Sequence, residues 1–149
     1  MLLTTYLQGE AKEVAKVVVS LAREVRASGL PVAAPACIIL GGETTVRLGE
    51  APGRGGRNQE LALAAALEMQ GMENVIIAAL ATDGTDGPTD SAGGLVDGDT
   101  VRRGQQNGLR AADALAHHDA YPYLEAVNDL LVTGPTQTNV NDLLIVIVF

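Results

Sequence analysis

Apolar positions along the chain change period several times, and each change marks an element. Met1 to Leu7 is short and compatible with a strand. From Gly9 to Ser28, Val14, Val18, Leu21 and Val25 recur at helical spacing, while Lys12, Glu13, Lys16, Arg23 and Glu24 occupy the remaining surface, which predicts an amphipathic helix. The three consecutive valines at 17–19 pull against that helix, because β-branching restricts side-chain rotation there. Gly29-Leu30-Pro31 ends it.

The run Cys37 to Leu40 reads as a buried strand stopping at Gly41-Gly42, with Thr44 to Leu48 as a second strand. Four glycines and one proline between Gly49 and Gly56 predict a loop. Asn58 is then placed to cap a helix from Gln59 to about Gln70, stopped by Gly71, with an Ala-rich face for close approach to a sheet. Val75 to Ala81 is another buried strand, followed by a Gly- and Asp-rich loop to Gly98. Short helices are expected at Asp99–Asn107 and Ala111–His117, and closing strands at Leu130–Thr133 and Leu143–Phe149. Strands alternate with helices, so the fold class is α/β: one compact domain over residues 1–149, a mixed sheet covered by helices, with three α/β/α layers expected.

Composition refines this picture. Apolar residues make up 47% and charged residues 19%, as in globular chains, but aromatics only 3%, with no Trp. The core must be built from Ala, Val, Leu and Ile. A net charge of −8 argues against nucleic-acid partners, and the only lysines are Lys12 and Lys16. An anion site further along must therefore use Arg or backbone N–H groups. The single Cys37, among apolar neighbours, reads as a buried structural thiol in a reducing compartment. With neither a transmembrane run nor a leader pattern, the expected location is the cytoplasm.

Three polar, Gly-rich segments lie at the ends of expected strands, where open α/β sheets bind ligands. The first joins Gly41-Gly42-Glu43-Thr44-Thr45 to Gly53-Arg54-Gly55-Gly56-Arg57-Asn58. Its glycines and helix start suit an anion, and Arg54 and Arg57 can hold phosphate or carboxylate in a fork; a solvated surface loop is the alternative. It lacks the Gly-Lys-Ser/Thr ending of a P-loop. The second, Thr82 to Gly94, carries Asp83, Asp86 and Asp90, a composition that suits Mg²⁺ with a nucleotide, although a series of Asx-turns is the commoner reading of such a run. The third, Thr133 to Asp142, has hydrogen-bonding side chains at seven of ten positions, including Thr136, Thr138, Asn139 and Asn141. The adjacent His117 and His118 point to different faces and make a poor joint metal site, so a solvated helix end is expected.

Taken in order, the stretches GGETTV (41–46), GRGGRNQEL (53–61), TDGTDGPTDSAGG (82–94) and TGPTQTNVND (133–142) resemble the MOFRL domain, the carboxy-terminal region of the glycerate 2-kinases. Gln137 departs from the glycine usual there. The resemblance implies a part of an enzyme that moves the γ-phosphoryl group of ATP to D-glycerate, with 2-phosphoglycerate as the expected product. ATP and Mg²⁺ would be its cofactors, and a larger amino-terminal domain its partner, bringing a catalytic Lys. It further implies Arg57 as the catalytic residue. Glu43, Thr44, Arg54, Asn58, Thr136, Thr138, Asn139 and Asn141 would contact substrate or phosphate, and Asp83, Asp86 and Asp90 the metal. A stand-alone module binding a sugar acid without catalysis is one alternative. A hydroxypyruvate reductase, the label some family members carry, is another, although no Gly-x-Gly-x-x-Gly fingerprint supports it. A homo-oligomer is compatible with all three.

Overall fold

A computed structural model of the chain describes residues 1–50 and 52–149. Its elements in order are β1 (Leu2–Glu10), α1 (Ala11–Ser28), β2 (Ala36–Thr45), α2 (Arg57–Glu68), β3 (Val75–Ala81), β4 (Gly93–Asp97), α3 (Thr100–Gln106), α4 (Ala111–Ala116), α5 (Ala120–Ala126), β5 (Leu130–Leu131) and β6 (Asp142–Val148). The strands form one mixed sheet in the order β1-β2-β6-β3-β4-β5. Only β1 and β2 are parallel neighbours; β6 runs antiparallel between β2 and β3. The carboxy-terminal strand therefore fills the middle of the sheet.

Helix α1 forms as its spacing predicts. Ala11, Val14, Ala15, Val18, Val19, Ala22 and Val25 turn inward, and Val17 alone of the valine triplet faces solvent. Gly29, at φ 73°, ends the helix by donating its N–H to the Val25 carbonyl, a left-handed cap open to Gly at little cost. Helix α2 is buried on all sides from Asn58 to Ala66. It lies on the sheet and packs against each of the other four helices. A central helix so enclosed needs small side chains, and the alanines at 62, 64, 65 and 66 meet that need.

Two expectations are corrected. Gly41 and Gly42 do not stop a strand: β2 runs through them to Thr45, and no strand forms from Val46 to Leu48. Gly42 is required by close approach, since a Cβ there would stand 2.2 Å from the Leu7 carbonyl oxygen of β1. Cys37 is exposed, not buried. Strand β2 buries Ala36, Ile38 and Leu40 under the helices and turns Cys37 and Ile39 the other way. The loop expected over 49–56 includes Ala51, which lies outside the described residues.

The α/β class and mixed sheet are those expected. The helices, however, gather around α2 on one face, so the described residues form two layers, sheet and helices, where three were expected. No helix of the described residues is long and apolar enough to cross a membrane.

Candidate functional site

Strand directions bring the three polar segments to one end of the sheet. Residues after β2, after β3 and before β6 all meet there. The register sets Asp142 between Gly42 and Ala81, with Glu43 and Thr82-Asp83 the next residues outward.

Arg57 is the first residue of α2, two residues earlier than the sequence suggested, and Gly56 occupies the cap position. The cap comes instead from far along the chain. The fully buried Asp86 carboxylate accepts the backbone N–H groups of Asn58 at 3.1 Å and Gln59 at 2.9 Å, and the Asn58 side-chain amide at 3.2 Å. Gly56 makes room for it: a Cβ there would lie 2.3 Å from the Asp86 carboxyl carbon. Burial raises the Asp86 pKa above its ordinary value, against the pull of these hydrogen bonds and of Arg57.

The Arg57 guanidinium is forked onto Asp142, Nε to Oδ2 at 2.7 Å and Nη2 to Oδ1 at 2.9 Å, with Glu43 3.6 Å from Nη2. Its Nη1 group makes no hydrogen bond within the described residues. The Asp142 contact, with Glu43 and Asp86 nearby, raises the Arg57 pKa, so it is a permanent cation. Asp142 was not among the expected site residues. It closes the third polar run, but nothing in the sequence ties it to an arginine 85 positions earlier.

The second and third segments are stapled together. Thr82 Oγ1 donates to the Asn141 carbonyl at 2.7 Å and accepts the Val140 N–H at 2.8 Å. Thr136 donates its hydroxyl to the Thr82 carbonyl and its N–H to the Asp83 carbonyl. Asn139 reaches Asp83 Oδ2 at 3.2 Å, and the other Asp83 oxygen accepts the Thr85 N–H. Thr136, Thr138, Asn139 and Asn141 remain exposed around the half-buried Asp83. Gln137 stands at φ 60° and Asn141 at φ 66°, left-handed positions.

The three loop carboxylates do not converge. Asp86 caps α2. Asp90 accepts the Tyr121 hydroxyl at 2.8 Å, which lowers its pKa, and lies 3.6 Å from Arg54. Arg54 in turn stacks on the Tyr121 ring, 3.7 Å from its centre. The expected joint Mg²⁺ set of Asp83, Asp86 and Asp90 therefore does not fit this geometry. Among the described residues, no group of three or more His, Cys, Asp or Glu side chains is arranged to hold a metal ion. Asp83 is the one of the three that stays at the open end among unburied polar groups.

A cavity of about 450 Å³ opens beside Arg57, lined by Glu43, Thr44, Arg57, Glu60, His118 and the loop glycines. Two buried polar atoms of its lining lack partners, Thr44 Oγ1 and Glu60 Oε1. The other Glu60 oxygen is 2.8 Å from His118 Nδ1. His118 is thus no solvated helix end; it turns inward at φ 53°, whereas His117 stays exposed. A hollow of about 510 Å³ at the opposite end of the sheet, between Gly71–Ile76, Asp97–Asp99 and Phe149, has no Lys or Arg in its lining.

The arrangement is one fixed guanidinium with free donors, at the rim of a polar-floored cavity, beside a hydroxyl- and amide-rich loop. Residues 36–142 match the MOFRL family. The chain is 47% identical over 144 residues to the D-glycerate 2-kinase of Thermotoga maritima, covering 97% of this chain and 34% of that protein. It is 44% identical over 147 residues to the glycerate 2-kinase of Pyrococcus horikoshii, covering 99% and 33%. The crystal structure of the Thermotoga maritima glycerate kinase superposes with a TM-score of 0.97 at 46% identity, over 100% of this chain and 36% of that one. The chain thus spans about a third of the length of these relatives, corresponding to their carboxy-terminal part. Motifs, fold and relatives converge, and the chain belongs to the MOFRL family.

Proposed function

We propose that this chain is the carboxy-terminal domain of an ATP-dependent glycerate kinase and forms one wall of an inter-domain active site. The reaction assigned is attack of the D-glycerate 2-hydroxyl oxygen on the γ-phosphorus of ATP. ADP leaves, the hydroxyl proton passes to a base, and 2-phosphoglycerate forms. The observation carrying this reading is Arg57, fixed by Asp142 at the cavity rim with Nη1 free. Phosphoryl transfer depends on positioning and on neutralising charge spread over the phosphoryl oxygens, and a pre-oriented guanidinium does both.

Around Arg57, Asp83, Glu43, Thr136, Thr138, Asn139 and Asn141 are assigned to contacts with substrate or phosphate, with Asp83 nearest to a hydroxyl or metal role. Asn58 is buried and held by Asp86, and Arg54 is engaged by Asp90 and Tyr121, so these two act by supporting the loops, whereas Thr44 offers its unpartnered Oγ1 to the cavity. Glu43 and Asp142 lie against Arg57, and Asp83 stands at the same end of the sheet. A triphosphate brought there needs further positive charge. In this reading, Mg²⁺ with the nucleotide and a Lys of the preceding domain provide it, in a cytoplasmic enzyme.

The test mixes this chain with the amino-terminal two-thirds of the Thermotoga maritima relative. ADP release is followed with ATP and D-glycerate, and NADH oxidation with hydroxypyruvate. Turnover is expected only in the mixture and only in the first assay. Turnover by the chain alone at roughly 1–100 s⁻¹, the ordinary kinase range, or NADH oxidation, would overturn the proposal.

A further inference from the structure

Beside Arg57, the cavity carries a second pair of ionisable side chains, Glu60 and His118. Glu60 belongs to the first turn of α2, and its side chain is only 4% exposed. A carboxyl group that deep needs a polar partner. Among the described residues it has one, His118 Nδ1 at 2.8 Å from Oε2, while Oε1 has none. His118 comes from the turn between α4 and α5, and two hydrogen bonds tie that turn to the loop before α2. The Gly53 N–H donates to the His117 carbonyl, and the Arg54 N–H donates to Asp119 Oδ1, both at 2.8 Å. The turn thus holds the imidazole on the cavity, 16% exposed, and not out in solvent. A carboxylate can only accept, so its hydrogen bond places the ring proton on Nδ1. In the neutral ring Nε2 is then the bare nitrogen, a proton acceptor, and it makes no hydrogen bond among the described residues.

We propose that His118 is the general base of the phosphoryl transfer and that Glu60 positions it. The inference rests on the kinase reading given above, in which the proton acceptor has no name. The acceptor hydroxyl oxygen forms its bond to the γ-phosphorus while the bond from that phosphorus to the bridging oxygen breaks, and ADP takes the electron pair. The hydroxyl proton moves to His118 Nε2. The imidazolium so formed is stabilised by the buried Glu60 carboxylate and gives its proton to solvent once product has left. At about 450 Å³ the cavity is within the range of small-molecule sites, about 300–1,000 Å³, and seats a three-carbon acid between His118 and the free Nη1 of Arg57. Thr44 Oγ1, buried and unpartnered in the same lining, can meet a second oxygen of that acid. Other bases at this end of the sheet are already engaged. Asp142 holds Arg57, Asp86 caps α2, and both Asp83 oxygens accept hydrogen bonds, from Asn139 and Thr85. His117 Nδ1 bonds the Asp113 carbonyl, and the residue stays exposed.

Substitution at position 118 separates a base from a structural staple. The backbone there sits at φ 53°, which Asn and Gly both accept. An Asn amide can still donate to Glu60 but cannot take a proton. The assay uses this chain mixed with the amino-terminal two-thirds of the Thermotoga maritima relative. His118→Asn should lower kcat by about 10²–10⁴, with little change in the KM for D-glycerate or in the thermal midpoint. His118→Gly should be as slow and should regain rate as imidazole is added, whereas His117→Asn should keep the wild-type kcat. In the chain alone, nitrogen NMR of the histidine rings, with His118→Asn as the assignment control, should place the proton of the neutral His118 ring on Nδ1. A near-normal kcat in His118→Asn, or a His118→Gly variant that imidazole leaves slow, overturns the proposal and makes the pair a staple between α2 and the α4–α5 turn. A neutral ring protonated on Nε2 overturns it as well, whether or not the variants fold. A wild-type mixture without turnover removes the kinase reading and the base with it, whereas turnover that survives His118→Asn removes the base alone.

Discussion

Arg57→Ala strands a buried carboxylate. Asp142 is 7% exposed and takes two guanidinium hydrogen bonds, at 2.7 and 2.9 Å. Breaking a fully buried pair by deleting one partner costs about 3–5 kcal/mol. The Arg57 side chain is 32% exposed, so water can reach the pair and the expected loss is lower, roughly 2–3 kcal/mol. At about 2–4 °C per kcal/mol for a domain of this size, the thermal midpoint should fall by about 5–10 °C. Asp142→Ala leaves a cation that solvent can rehydrate and should cost less, about 1–2 kcal/mol. The double variant should be no worse than Arg57→Ala, giving a coupling of about 1–2 kcal/mol in a thermal or urea double-mutant cycle. Additive losses, or a midpoint unchanged in Arg57→Ala, would refute the claim that the fork holds loop and helix together. The pair also makes the functional experiment two-sided. In the reconstituted enzyme, assayed well below both midpoints, Arg57→Lys should lower kcat by about 10³–10⁵ if the guanidinium meets the transferring phosphoryl group. A near-normal kcat would leave Arg57 a purely structural residue.

Three further outcomes are expected. The raised Asp86 pKa means that the native chain binds this proton more tightly than the unfolded chain, whose carboxyl titrates near 3.8. The cost of ionising it is absent below that value and grows as pH rises through the folded pKa, so the urea-midpoint deficit of Asp86→Asn should be smaller at pH 7 than near pH 3.5; a deficit widening with pH would mean the hydrogen bonds outweigh burial. Gln137→Gly relieves a left-handed non-Gly residue at φ 60° and should stabilise the chain by about 0.5–1 kcal/mol after the added flexibility of the unfolded chain, read from urea midpoints. Gly56→Ala drives a methyl into Asp86, so it should unseat the cap of α2 and lower the thermal midpoint by at least as much as Asp86→Ala; a neutral result would refute the close approach.

Much of the fold is periodic and therefore legible. The inward positions of α1, its Gly29 stop and the apolar strands β3 and β6 follow from spacing alone. What escaped was set by partners distant in sequence. The Gly41-Gly42 pair looks like a strand end locally, but β1 crosses so close that only glycine fits inside a continuing strand. Strand β4 begins with two glycines, and was hidden in a run that reads as loop. Asn58 had the right chemistry for a cap, but Asp86, 28 residues away, took the role and moved the helix start to Arg57. The site shows the same division. Its segments were visible as polar insertions at strand ends, whereas Asp142, Glu60 and His118 were invisible because their significance lies in pairing across the fold. The inward turn of His118 had only one faint signal, since adjacent residues must face different ways.

The central place of β6 bears on how the protein is made. Until residues 142–148 leave the ribosome, β1-β2 and β3-β4-β5 are two ribbons with no strand pairing between them, and β2 and β3 each present an open edge carrying adjacent isoleucines. Every strand pairing that joins them waits for β6, and β2 finds β6 across about a hundred intervening residues. A nascent or truncated chain lacking its last strand is therefore not a slightly shorter domain. It is a pair of aggregation-prone half-sheets, the kind of species that chaperones hold, and losing β6 should be as damaging as losing much more of the chain.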